Sequence, residues 1–437
     1  MEVAATSLMN SWAGPAILAV LVISYVFVIF ERSLDLRKSK PVLLGAGIIW
    51  LIIGLATYGT AGAEPAALHL KHAIADYSEI LLFLMVAMSY INILEERRVF
   101  SALNAALERG GWTWRSLFWL TGTLAFFISP VADNMTTALL MGAVVLAVGG
   151  SNRNFIILSC INIVVAANAG GAFSPFGDIT TLMVWVAGKV AFADFFQLFL
   201  PSLVTWLVPA AIMSLAISND RAMPIAGHEN SRMRKGAKRV MVLGVATIAT
   251  SVLGHQFFHF PPVYGMLFGL SYLKIFGYYL KIRSTEDSPF DVLHHVQKIE
   301  WDTLLFFGGV ILAIAGVGYA GYLSWLSATA YTSWGGMPAE ISIGVTNVMV
   351  GIASAIIDNI PIMFAVLSAN PEMSKWQWLL VTLTAGVGGS MLSIGSAAGV
   401  ALMGASRGYY TFAAHLKWTW AVALGYFAGI GVHYLVN

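Results

Sequence analysis

The chain has 437 residues, 58% of them hydrophobic and only 11% charged, with a mean hydropathy of +0.77. Soluble domains carry roughly 25% charged residues, so the composition excludes a soluble globular protein and predicts an all-α polytopic membrane protein. A net charge of +2, without a Lys/Arg stripe among aromatics, excludes nucleic acid as a partner, and the single cysteine, Cys160, excludes an intrachain disulfide and a cysteine metal cluster.

The start of the chain, Met1 to Asn10, carries Glu2 and no basic residue, so no cleavable signal peptide is expected. A first apolar run, about Ala13 to Phe30, leads to a short loop holding Arg32, Arg37, Lys38 and Lys40. Basic loops stay cytoplasmic, which puts the N-terminus outside. A second span, about Val42 to Thr60, returns outward, and a third, about Ile74 to Leu94, comes in. Residues 1–75 therefore read as N-terminal scaffold and 76–217 as a first repeat.

Within that repeat, Val99 to Arg109 is too polar to span and is expected along the interface. Leu117 to Ile128 is too short to cross alone and leads to Ser129, Pro130, Asp133, Asn134, Thr136 and Thr137. Ala138 to Val148 then runs back. Two short apolar arms around a polar tip predict a re-entrant helical hairpin, about 113–150. The next span, about 155–188, is interrupted by Asn168, Gly170, Gly171, Ser174, Pro175, Gly177, Asp178, Thr180 and Thr181, and is expected to be a broken helix. Phe195 to Ile217 is an ordinary span.

A polar, basic stretch at 218–239 is the expected cytoplasmic linker, and 240–298 holds two further scaffold spans. The second repeat, 299–408, retraces the first. Ser354, Asp358 and Asn359 lie 225 residues after Ser129, Asp133 and Asn134, and Gly335-Gly336 follows Gly110-Gly111 by the same interval. Asp302 follows Glu79 by 223, and Gly388, Gly389, Ser393, Gly395 and Ser396 follow the first interruption by 218 or 219. A second hairpin is expected at about 338–370 and a second broken helix at about 376–406, with a C-terminal span in 409–437. Counting crossings makes the two repeats opposite in topology, the arrangement that supports alternating access around a midplane site.

Polar tips on hairpins, unwound spans and an inverted repeat together resemble the ion transporter superfamily of divalent-anion/sodium symporters and arsenite and citrate carriers, over about Asp76 to Arg407. Within it, Ser129-Pro-Val-Ala-Asp133-Asn134-Met-Thr-Thr137, Ser354-Ala-Ile-Ile-Asp358-Asn359-Ile-Pro361 and Ser174-Pro-Phe-Gly-Asp178-Ile-Thr-Thr181 look most like the NhaD-type sodium/proton antiporters. The resemblance implies exchange of external protons for internal sodium or lithium, usually by a homodimer, with no enzyme activity and no cofactor beyond the transported ion. Ser396 stands where the first repeat has Asp178, so the two halves of the site are not equivalent.

The residues themselves support ion chemistry. An ionisable side chain at membrane depth is a functional candidate by default. Asp133, Asp178 and Asp358 supply charge, and with Asn134 and Asn359 they are the expected Na+ ligands. Ser129, Asn168, Ser174, Thr180, Thr181, Ser354, Ser393 and Ser396 supply neutral oxygens. Burial disfavours an ionised carboxylate and a bound cation favours it, so Na+ and H+ would compete for one site. Glu79, Asp302 and Glu300 form a second tier, either proton relay and gate or interfacial helix caps. Thr136, Thr137 and Thr180 are read equally as ligands or as side chains bonded to their own helix.

The remaining polar residues take plainer readings. His255 and His259 at i, i+4 have no third metal ligand, and His294-His295 reads as a solvated loop pair. Trp112, Trp114, Trp376 and Trp378 suit an interfacial belt. Two other functions fit parts of the pattern: an anion carrier for carboxylate or arsenite on the same scaffold, and an intramembrane aspartyl hydrolase using Asp133 and Asp358. The tip acids would repel an anion, and abundant neutral oxygens suit a cation better than a hydrolase.

Overall fold

Apolar stretches punctuated by Gly, Pro and Asp become helices here, which satisfy every backbone hydrogen bond within the segment, as lipid requires of any span outside a closed barrel. The computed structural model describes residues 8–108, 111–150, 152–221, 232–283, 292–332 and 337–437. The expected landmarks Gly110 and Gly335-Gly336, and parts of the two basic loops (222–231 and 284–291), lie outside the described residues.

In chain order the helices are α1 (Ala13–Ile29), α2 (Glu31–Leu34), α3 (Ser39–Thr57), α4 (Ala63–Glu96) and α5 (Val99–Glu108). Then come α6 (Trp114–Ala132), α7 (Asn134–Gly149), α8 (Arg153–Gly171), α9 (Ile179–Val186) and, after a 3-10 segment at Phe192–Leu198, α10 (Phe199–Ser214). The next group is α11 (Ala237–Phe258), α12 (Pro262–Arg283), α13 (Val292–Gln297), α14 (Trp301–Tyr319) and α15 (Tyr322–Ala330). Last are α16 (Ala339–Ser354), α17 (Asn359–Ala369), α18 (Lys375–Gly388), α19 (Ala397–Ala405), α20 (Phe412–Leu416) and α21 (Thr419–Val436). Among the described residues, 8 helical segments are long and apolar enough to cross a membrane. The protein is a multi-span helical membrane protein.

The chain divides into two compact units. The first comprises Met1–Ile93, Lys238–Thr332 and Phe364–Pro371. In it α3 packs against both α1 and α14. Gly309 lets α14 approach so closely that an added Cβ would stand 2.8 Å from the Leu43 nitrogen, and the Trp50 indole donates to the Leu312 carbonyl at 2.8 Å. Helices α11 and α12 form an antiparallel pair, tied where Ser251 Oγ donates to Pro262 O at 2.7 Å. Tyr90 of α4 joins that pair, its hydroxyl meeting Thr247 Oγ1 at 2.8 Å and donating to Gly269 O at 2.9 Å.

The second unit comprises Leu94–Ala237, Ser333–Met363 and Glu372–Asn437. Its axis is α8, buried along nearly its whole length because α6, α7 and α10 cover it from different sides. A helix apolar all round belongs in an interior. In the later part of the chain α18 holds the corresponding position, packed on α16 and α21.

Several expectations need correction. Helix α6 runs from Trp114 to Ala132, long and apolar enough to span, because Trp114, Arg115 and Ser116 join the helix at one end and Pro130 is carried inside it at the other. Trp378 is 4% exposed, a core residue rather than a belt residue. His295 is 2% exposed, and Asn92 Nδ2 donates to its carbonyl at 3.2 Å, so it is no solvated loop residue. The C-terminal span divides into α20 and α21, with α20 capped by Thr411.

Candidate ion-binding site

Four half-helices begin at the polar interruptions, and each begins beside an oxygen-bearing side chain. Asp133 caps α7, its Oδ1 accepting from Thr136 N at 2.9 Å and its Oδ2 from Thr136 Oγ1 at 2.7 Å. Its backbone is at φ 56°, ψ 160°, a conformation that a side-chain-bearing residue holds at a cost of about 1–3 kcal/mol and that concentrates at functional sites. Asp178 caps α9, with Thr180 N donating to Oδ1 at 2.9 Å. Asp358 precedes α17 and accepts from Ile360 N at 3.4 Å, and Ser396 caps α19 by accepting from Gly399 N at 3.3 Å. Helix N-termini are electropositive, so acids at three of them are locally stabilised while keeping charge at a break in the chain.

These ends meet around Asp178, which is 6% exposed. Asn134 Nδ2 donates to its Oδ2 at 2.6 Å, and Asn359 Nδ2 reaches the same oxygen at 3.1 Å. The two Asp-Asn pairs, 225 residues apart in sequence, thus send their amides to one carboxylate. Ser129 Oγ, buried, lies 2.8 Å from Asn134 Oδ1 and 2.7 Å from Ala167 O, two acceptors that compete for its one proton. Ser354 Oγ repeats the second contact on the other side, donating to Ala385 O at 2.8 Å. Asp133 and Asp358 are half-buried.

The unwound segments are tied to this centre. Asn168 Nδ2 donates to Ser396 Oγ at 3.0 Å, which links the two breaks; Asn168 Oδ1 is fully buried and has no hydrogen-bond partner among the described residues. Ser174 Oγ donates to Pro130 O at 2.9 Å, and Thr181 Oγ1 to Ser174 O at 2.8 Å. Thr180 is buried beside Asp178. Ser393 is buried, but its hydroxyl lies 3.7 Å from Met403 Sδ rather than on the Asp178 cluster. Glycine makes the assembly possible: a Cβ on Gly171 would collide with Asn134 Oδ1, and one on Gly177 would stand 2.7 Å from the Gly171 Cα.

The second-tier acids belong to the first unit. Asp302 opens α14 and accepts a hydrogen bond from Ser39 Oγ, while Glu300 accepts from Thr303 Oγ1 at 3.2 Å. Glu79 stands halfway along α4. The expected equivalence of Glu79 and Asp302 at span entrances is therefore not reproduced, because α4 extends well before Ile74.

The donor set is one buried carboxylate, two half-buried ones, and amide, hydroxyl and carbonyl oxygens. Oxygens of this kind suit a hard cation, and among the described residues no group of His, Cys, Asp and Glu forms a transition-metal site. The sequence matches the family model described as CitMHS, Citrate transporter, over residues 25–386. The Na(+)/H(+) antiporter NhaD of Vibrio cholerae serotype O1 is 52% identical over 451 aligned positions, covering 98% of this chain and 93% of that protein. Its namesake from Vibrio parahaemolyticus is 54% identical over 414 positions, covering 90% and 98%. The chain belongs to the NhaD family of antiporters. More distantly, Sodium/proton antiporter 1 of Arabidopsis thaliana is 32% identical over 426 positions, covering 95% of this chain and 71% of that one. Membership makes this NhaD-family chain a transporter, which sets the hydrolase reading aside.

Two site features escaped the reading of the sequence. Gly386 faces the cluster: a Cβ there would stand 3.9 Å from Asp178 Oδ2 and 3.7 Å from Thr180 Oγ1, in ordinary contact. Unlike Gly388, the other glycine of α18, it repeats no glycine of the first interruption. His415 is fully buried, with Nε2 at 3.0 Å from Ser390 O in the second unwound segment and Nδ1 at 2.6 Å from Tyr410 Oη. A carbonyl can only accept, so Nε2 carries the proton and Tyr410 donates to Nδ1. A lone histidine in the five-residue α20 carries no sequence signal of such a role.

Proposed function

We propose that this NhaD-family protein is a secondary Na+(Li+)/H+ antiporter of the inner membrane. Na+ and H+ take turns on the carboxylate cluster of Asp133, Asp178 and Asp358, with Asn134, Asn359 and the surrounding serine and threonine oxygens completing the shell. The observation that carries the reading is the convergence of Asn134 and Asn359 on buried Asp178. An empty charged site is costly to carry through a bilayer, so reorientation follows neutralisation by one cation or the other. That rule couples the two fluxes without a separate proton wire.

In this reading the helix pairs α6–α7 and α16–α17 are re-entrant hairpins of an inverted repeat. The site alternates between the two sides, the basic loops are cytoplasmic and the N-terminus external. Glu79, Asp302 and Glu300 either relay protons and gate the path or serve only as acids at the interface. The working unit is a homodimer, as the resemblance implies.

A second reading, carriage of an organic anion, draws on the citrate-transporter description of the matched family. Three acids at the breaks oppose it, and the nearest basic residue after α19, Arg407, is exposed.

Proteoliposomes carrying a preformed pH gradient and a pH-sensitive dye separate the readings. Added Na+ or Li+ should collapse the gradient, and citrate with an inert counter-cation should not. Asp133→Asn, Asp178→Asn and Asp358→Asn should each reduce the signal to that of empty liposomes while inserting normally. Collapse by citrate alone would replace antiport with anion carriage, and wild-type exchange by one of the three variants would remove that carboxylate from the mechanism.

A further inference from the structure

We propose that the groove between α11 and α12 binds an anionic phospholipid, at residues distinct from the carboxylate cluster and independently of the antiport reading. The groove encloses about 650 Å³ and is lined by Lys238, Arg239, Val242, Ile275, Phe276 and Tyr279 together with two further apolar or aromatic residues. Among the described residues no acidic side chain lines it. Val242 and Ile275 are 68% and 69% exposed on its walls, apolar surface that faces acyl chains in a bilayer.

Two features select a phospholipid with negative charge. Lys238 and Arg239 occupy the first turn of α11, the electropositive end of a helix, where cations are disfavoured and an anion is favoured. A phosphate at that level is attracted by the helix end and by both side chains. The apolar walls begin one turn further in, at Val242, and continue along α12 on residues at i, i+1 and i+4 (Ile275, Phe276, Tyr279). Charge at the end of a membrane-length helix and apolar surface below it match the headgroup and chains of one lipid. Basic pockets between spans recognise anionic headgroups in this way.

Native mass spectrometry of the full-length protein in detergent tests the assignment. Phosphatidylglycerol, phosphatidylcholine with the same chains, and inorganic phosphate would be titrated in separate arms. Phosphatidylglycerol should bind more tightly than phosphatidylcholine, and inorganic phosphate should not displace it. Lys238→Gln with Arg239→Gln should weaken phosphatidylglycerol about 30-fold, at about 1 kcal/mol per basic residue near the surface and 1.4 kcal/mol per decade. Phosphatidylcholine binding should be unchanged in that variant, which also reports that it is folded. Val242→Trp, which fills the groove and keeps both cations, should lower phosphatidylglycerol binding as well. Equal binding of the two lipids, retention by the double variant, or displacement by phosphate would overturn the proposal. Loss of a dimer in Val242→Trp with unchanged lipid binding would give the groove to a second copy of the chain instead.

Discussion

Asp178 is held by donors from three places: its own helix end at Thr180, Asn134 and Asn359. Each amide offsets part of the desolvation of a buried carboxylate, a contact worth more than a neutral hydrogen bond. Asn134→Ala and Asn359→Ala should each lower stability by about 1–3 kcal/mol. Thermal unfolding in detergent reads this, and the double variant should fall short of additivity because the two amides share one oxygen. An unchanged midpoint in both would mean that the amides do not support Asp178. Asp133, Asn134, Asp358 and Asn359 stand out in the sequence because acid and amide recur at one spacing in apolar runs, and Asp178 stands out only as an acid that interrupts an apolar span. That Asp178 would be the shared centre was not legible, because its equivalent is Ser396 and only packing decides which carboxylate the tips approach. The same holds for His415 and Gly386, which reach the breaks from positions that no local pattern marks.

Helix breaks, rather than helices, organise the second unit. The glycines at the breaks act in matched pairs: an added Cβ on Gly170 would collide with Phe126 O, and one on Gly388 with Gly351 O. Each pair brings a broken helix against the arm that precedes it, α8 against α6 and α18 against α16. Gly388→Ala should therefore destabilise the protein or prevent its accumulation in the membrane. Gly386→Ala, with nothing nearer than 3.7 Å, should insert and unfold like the wild type yet shift the Na+ concentration giving half-maximal exchange, because its methyl group enters space beside Asp178 Oδ2. Equal behaviour of the two variants in stability and in Na+ dependence would count against this division of roles. Helices end and restart around Asp133, between Gly171 and Ile179, between Ser354 and Asn359, and between Gly388 and Ala397, among the polar residues that interrupt the apolar runs, whereas several helix lengths differ from the apolar runs. Spans were bounded by hydropathy, whereas α4 and α6 continue through polar residues once neighbouring helices or the interface can accommodate them.

At the scale of the whole molecule, low charge and recurrent apolar runs place the chain in a membrane, and family membership makes it an antiporter. We propose beyond this that one carboxylate cluster serves both cations in turn. Linkage then requires each ion to oppose the binding of the other. Purified protein in weakly buffered detergent solution, with a pH electrode or dye, reads that coupling without transport. Adding NaCl or LiCl should release protons from the wild type, choline chloride should release none, and Asp178→Asn should lose most of the release. Sodium binding without proton release, or full release from Asp178→Asn, would contradict competition at this site.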